Sequence, residues 1–133
     1  MPVSVNVYQG CSLKTRPMTF VLPTVVTNDT LDTTSTITIK CSPNTDYVID
    51  LDDGLHFKGN ARRMLDPAVG YVTYEVYRDS PRTKVWRKGT FDGVTGNSGT
   101  GAPIDFVLYG RVTNASRIKS GGYKDTLTVT LNF

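Results

Sequence analysis

Two cysteines, Cys11 and Cys41, are the side chains here with the most chemistry open to them. Their separation of 30 positions lies far from any Cys-x-x-Cys redox or zinc pattern. A zinc site would need further ligands, and the chain offers a single histidine, His56, and a single glutamate, Glu75. A disulfide is therefore the favoured reading, with two separately buried thiols as the alternative. Closing a loop of that size contributes about 3–4 kcal/mol in the loop-entropy account, and such a bridge belongs to an oxidising compartment.

The run Asp50-Leu51-Asp52-Asp53-Gly54 invites a calcium reading. Its Asp spacing departs from an EF-hand loop, no glutamate follows at the twelfth position, and no helical period flanks it. A strand end followed by an Asp-Gly turn is the better reading. A hydrolase would need a nucleophile with a base in reach, and the chain has neither a Gly-x-Ser-x-Gly elbow nor a phosphate-binding glycine loop before a helix. The expectation is a protein that is not an enzyme and carries no metal or cofactor.

Arg78, Arg82, Lys84, Arg87 and Lys88 surround Trp86 and Tyr77, a basic stretch with aromatic residues between the charges. Gathered on one face, they would take anionic glycans or single strands by charge and stacking. The plainer and favoured reading leaves the charges on the solvent side and packs the aromatics inward or on a rim. The formal charge is only +3, with Lys and Arg interleaved among Asp, so nucleic acid is not an expected partner.

The elements that must position these residues are strands. Thr, Val, Tyr, Ile and Phe dominate the apolar stretches, and no window of about twelve residues has the three-and-four spacing of a helix. Val3, Val5 and Val7 alternate with polar residues, as do Ile37, Ile39 and Cys41, then Tyr47, Ile49 and Leu51 beyond the turn Ser42-Pro43-Asn44-Thr45. This pattern predicts a hairpin between the last two. Residues 55–70 have no clear period and read as a long loop or a short irregular edge. Val72, Tyr74 and Val76 mark a strand over Tyr71–Tyr77, the glycine-rich residues 92–101 read as a flexible connection, and Ile104–Val112 reads as a central strand. From Asp125 to Phe133, Leu127, Val129, Leu131 and Phe133 alternate with Thr and Asn. At 133 residues the expectation is one domain, an all-β sandwich with Greek-key connections. No apolar run approaches the roughly 18 residues that cross a bilayer, so a membrane-embedded protein is not expected.

The landmarks come in a recognisable order: Cys11, Ser35-Thr36-Ile37-Thr38-Ile39-Lys40-Cys41-Ser42, Tyr47 to Gly54, Arg63-Met64, and Tyr74-Glu75-Val76-Tyr77-Arg78-Asp79. They continue with Val85-Trp86, Gly89-Thr90, Leu108-Tyr109-Gly110-Arg111-Val112, and Gly121-Gly122-Tyr123-Lys124-Asp125-Thr126-Leu127-Thr128-Val129. This order resembles the spore coat protein U domain family, the subunit family of archaic, Csu-type chaperone-usher pili. Val21 and Arg87 stand where that family commonly has a glycine after an aromatic residue. The resemblance implies an incomplete immunoglobulin-like Greek-key sandwich that lacks its last strand. A periplasmic chaperone would lend that strand, and at an outer-membrane usher the extension of a neighbouring subunit would replace it.

On that resemblance Leu127, Val129, Leu131 and Phe133 line the receiving groove, while residues 1–9, with Val3, Val5 and Val7, serve as first strand, shortened donor extension, or both. The implied function is a structural subunit of a secreted surface pilus, or of a spore-coat-like layer, supporting adhesion and biofilm formation. A tip adhesin binding a surface or glycan through exposed loops is the alternative: a tip subunit needs no donor extension, although it would be expected to carry a second domain. The disulfide reading has a direct check. Unreduced protein should weigh less than the reduced form by a pair of hydrogens, and two freely alkylated thiols in protein taken from an oxidising compartment would refute it.

Overall fold

The computed structural model describes residues 10–20 and 29–133; Val3, Val5 and Val7 lie outside the described residues. Among the described residues eight strands are formed: β1 (Cys11–Lys14), β2 (Thr30–Cys41), β3 (Asp46–Leu51), β4 (Arg62–Asp66), β5 (Gly70–Tyr77), β6 (Val94–Asn97), β7 (Ile104–Thr113) and β8 (Val129–Asn132). A single helical turn, α1 (Gly89–Asp92), and a 3-10 turn at Ala115–Arg117 interrupt them. A five-stranded sheet runs in the order β1-β2-β7-β5-β4 and a three-stranded sheet in the order β6-β3-β8, with every pairing antiparallel. The result is the two-layer, all-β sandwich expected.

Alternation places the core. Ile37, Ile39 and Cys41 of β2, Tyr47, Ile49 and Leu51 of β3, Val72, Tyr74 and Val76 of β5, and Leu108 and Val112 of β7 are all buried. β7 lies between β2 and β5, the central position its apolar composition predicts. Cys11 stands directly opposite Cys41 in the β1–β2 ladder, and the two are joined by a disulfide.

Three local expectations are corrected. β2 and β3 do not form a hairpin but belong to different sheets. Asn44 takes a left-handed conformation (φ 57°), and the turn is tied sideways to the 97–101 loop, where the Ser98 hydroxyl donates to the Ser42 carbonyl (2.6 Å) and accepts from the Thr45 N–H (2.8 Å). A chain anchored in this way crosses the sandwich instead of folding back. Residues 55–70 need no correction, since of the two readings the short edge holds: they contain β4, paired with β5. The 92–101 connection contains β6, which pairs with β3; Gly96 is packed and not loose, because a Cβ there would collide with the Tyr47 hydroxyl. The last strand is also shorter than Asp125–Phe133, being limited to Val129–Asn132.

The seam between the sheets is closed by a buried arginine. β4 begins at Arg62, and past it the edge of β5 is taken over by residues 85–86, with the Trp86 N–H donating to the Val76 carbonyl (2.9 Å). Arg62 fills the gap between these two edge partners at 0% exposure. Its guanidinium donates to the carbonyls of Trp86 (2.5 Å) and Asp52 (2.7 Å) and to the Glu75 carboxylate (2.6 Å). Those carbonyls come from different elements and lack strand partners there, so the side chain satisfies groups that burial would otherwise leave unpaired. Trp86, 1% exposed, packs beside it and donates its indole N–H to the Ile49 carbonyl (3.0 Å).

Residues 118–128 form a strap from the β4 edge to β8. Leu65 and Lys124 exchange both backbone hydrogen bonds (2.8 and 2.9 Å), and the Tyr74 hydroxyl donates to the Asp125 carboxylate (2.5 Å). Gly54 lets the strap approach: its φ is +85°, and a Cβ there would collide with that carboxylate.

Arg62→Ala leaves several buried carbonyls and Glu75 without a donor and should cost about 3–5 kcal/mol in urea unfolding, clearly more than Glu75→Gln; equal midpoints for Arg62→Ala and wild type would refute the role given to Arg62. Burial, reinforced by the Asp125 hydrogen bond, pushes the Tyr74 phenol far above its usual range. The folded state then keeps this proton where the unfolded chain releases it, so stability is full below about pH 10 and declines as pH rises further. Tyr74→Phe should flatten that alkaline decline, read from urea midpoints at about pH 9 to 11; burial raises Tyr47 and Tyr77 too and leaves a residual slope.

Candidate functional site

The five-stranded sheet exceeds the three-stranded one by two strands, about 10 Å at the usual spacing. Part of its inner face therefore has no facing strand among the described residues. That part is the floor of an apolar groove of about 1040 Å³. Leu31 of β2, Leu108 and Val112 of β7, and Val72 and Tyr74 of β5 form the floor, with Met64 of β4 at its side.

Each wall is an irregular segment held by specific contacts. One wall is Thr15 to Phe20, which presents Met18 and Phe20. It is fixed to β2 because the Ser35 hydroxyl donates to the Arg16 carbonyl (2.9 Å) and the Thr33 hydroxyl to the Thr19 carbonyl (2.8 Å). Gly110 makes room for it, since a Cβ there would come within 2.7 Å of the Met18 sulfur and 2.8 Å of the Phe20 ring. The other wall is the strap, which presents Ile118, Tyr123 and Leu127. The Asp66 carboxylate accepts from the Ala68 and Gly122 N–H groups, which hold it below the usual carboxylate range and pin the strap's glycine turn.

Of the four residues read as groove lining, Leu127 lines the groove. Val129 and Leu131 alternate as expected, half-buried against the core, but they lie on β8 under the three-stranded sheet. Phe133 is 62% exposed and sits beside Gly10 at the far end of β8. Sequence reasoning missed Met18, Phe20, Ile118 and Tyr123, whose only signal was apolar character inside stretches broken by Pro and Gly.

The basic stretch is not one face. Arg82 lies against the outside of the five-stranded sheet, donating to the Gly110 and Thr33 carbonyls and stacking over Tyr109 at 5.4 Å. Arg78 reaches the Gly93 carbonyl (2.8 Å), and Arg87 pairs with Asp53 (3.0 Å). Lys84 and Lys88 are exposed, and Trp86 is core. The Asp run is likewise spent on the fold: Asp50 accepts from Gly89 and Asn132, and Asp52 accepts from Gly54 and Thr128. Among the described residues no group of three or more His, Cys, Asp or Glu is placed to hold a metal ion, and no helix is long and apolar enough to cross a membrane.

Comparison with known proteins agrees with this architecture. Protein U of Myxococcus xanthus is 29% identical over 107 residues, covering 75% of this chain and 59% of that protein, so the chain spans less than two-thirds of this relative's length. The fold is shared with a chain in the crystal structure of the CsuC-CsuE chaperone-tip adhesion subunit pre-assembly complex from archaic chaperone-usher Csu pili of Acinetobacter baumannii. That match has a TM-score of 0.71 at 22% identity and covers 92% of this chain and 39% of that one. The Spore Coat Protein U domain profile matches residues 1–130. Carrying the family's landmarks in order on a two-sheet sandwich with an open flank, the chain belongs to the Spore Coat Protein U domain family.

Proposed function

We propose that this chain is a non-catalytic subunit of a surface pilus built by a chaperone-usher route, and that its groove takes an alternating strand from a partner. The observation that carries the reading is the apolar groove on the inner face of the wider sheet. An extended segment with apolar residues at every second position would pack against the half-buried Leu31, Met64, Phe20 and Ile118 and would offer backbone groups to the irregular walls. In this reading a periplasmic chaperone lends the strand first. A neighbouring subunit then replaces it at an outer-membrane usher, and the product stands on the cell surface.

Residues 1–133 act as one pilin-like domain, in which Val3, Val5 and Val7 supply the first strand, a donor segment, or both. Leu127 serves the groove directly, whereas Val129, Leu131 and Phe133 lie away from its lining. Between shaft and tip, the tip adhesin reading is better supported, because the fold likeness is to a complex whose subunit is a tip adhesion protein. A shaft role, with polymerisation through the same groove, is the second reading.

The test is a synthetic peptide of alternating apolar residues added to the purified chain. Burying one apolar side chain contributes about 1.5–3 kcal/mol, so a peptide seating three or four should raise the melting temperature by several degrees or more. Ile118→Asp, which places a charge on the half-buried groove wall, should abolish that rise while leaving the peptide-free melt close to wild type. Failure of every such peptide, and of a purified pilus chaperone, to stabilise the wild-type chain would refute the reading.

A further inference from the structure

Arg63 combines a side chain anchored at one end with a guanidinium fork left free at the other. Among the described residues Arg62, Arg78, Arg82, Arg87 and Arg111 all direct terminal guanidinium nitrogens at protein carbonyls or carboxylates. Arg63 does not. Its Nε donates to the His56 carbonyl (2.8 Å), and its guanidinium lies 3.7 Å from the centre of the Tyr71 ring. The two terminal nitrogens meet no acceptor among the described residues.

The placement is a product of the ladder. Arg63 pairs with Thr73 and Leu65 with Tyr71, so Arg63 and Tyr71 are diagonal neighbours on the outer face of β4 and β5, within reach of long side chains. Thr73 is exposed on the same face, which is turned away from the core. Tyr71 is 52% exposed, the His56 ring stands edge-on to it at 6.3 Å, and Val69 in the adjoining turn is exposed. A guanidinium fixed at Nε and stacked on a ring has little left to lose on binding, and its free fork matches a carboxylate in two parallel hydrogen bonds. Around the fork lie the groups a sugar uses: a half-exposed aromatic ring, an exposed threonine hydroxyl at Thr73 and an imidazole. A single fork on a chain of formal charge +3 suits one carboxylate per sugar and not a polyphosphate.

We propose, resting on the adhesive reading of the chain, that the outer face of β4 and β5, centred on Arg63, Tyr71 and His56, binds uronic-acid units of an acidic polysaccharide. Titration of the purified chain with trigalacturonate should show saturable binding, and maltotriose or the methyl-esterified trimer should not compete. Arg63→Gln should weaken binding at least tenfold. Arg63→Lys, which keeps the charge but loses the fork and the stack, should also weaken it severalfold, whereas Arg117→Gln should leave it unchanged. Tyr71→Leu, which tests the platform without touching the charge, should weaken it severalfold.

No saturable binding by wild type, unchanged affinity in Arg63→Gln, or an equal loss in Arg117→Gln would overturn the proposal. The groove is read separately. Arg63→Gln protein should still be stabilised by the alternating peptide, so loss of saccharide binding with peptide rescue intact tells the two surfaces apart. Peptide rescue that fails while trigalacturonate still binds sinks the groove and spares this site.

Discussion

A single cation holds the seam of this sandwich. Strand ladders satisfy backbone groups only where a neighbour continues, and beside β5 one neighbour, β4, stops where the next, residues 85–86, begins. Carbonyls from β3, from the loop after it and from Trp86 converge on that discontinuity. Arg62 answers with donors in a planar fork, which is what separates it from a lysine at the same place. Glu75 neutralises the charge while keeping contact with solvent, so the pair avoids the full cost of burying two ions in a dry core. With the seam closed there, Trp86 can sit at the centre of the packing, and the β3–β4 loop is held against the sheet edge.

Burial on one face is what makes a strand legible in the sequence. Such strands announce themselves through alternation, as β2, β3, β5 and β8 do, whereas the central β7 shows in a run apolar on both faces. Alternation does not say which sheet a strand joins, because Ile39 and Ile49 look alike whether their strands pair or face each other across a core. β4 reads Arg-Arg-Met-Leu-Asp, and its first inward residue is the charged Arg62, so the period was hidden by the residue that closes the seam. β6 was hidden by Gly96, read as slack in the chain when it is a site of close approach to Tyr47.

The groove was legible only at one rim. Its floor comes from residues whose core character was plain, Leu108, Val112 and Tyr74, but that no strand faces them among the described residues follows from comparing the two layers, which no local pattern reports. Its walls come from segments with no period at all. The basic stretch shows the converse. Its charges are adjacent in sequence, yet a turn, a strand end and a buried tryptophan separate them, and Asp residues and carbonyls absorb most of them. Meanwhile Arg63, unremarkable in its run, keeps its fork open because its strand partner is Thr73 and the acid nearest on that face, Glu75, is taken by Arg62.

The pairings also set an order of events. β2 is completed by β7, and β3 by β8, so Thr30 meets Thr113 and Leu51 meets Val129 across most of the chain. Loops this long are costly to close before their contacts reward them, and topologies dominated by such contacts fold slowly. A chain appearing from its N-terminus can finish β1 with β2, and later the β4–β5 hairpin, but the inward faces of β2 and β3 wait for its last third. During that interval Ile37, Ile39, Tyr47 and Ile49 are apolar strands without partners, the condition under which chains stick to one another. The Cys11–Cys41 bridge joins an N-terminal pair that needs nothing further downstream, so it can set the register of β2 while the strand is still waiting for β7.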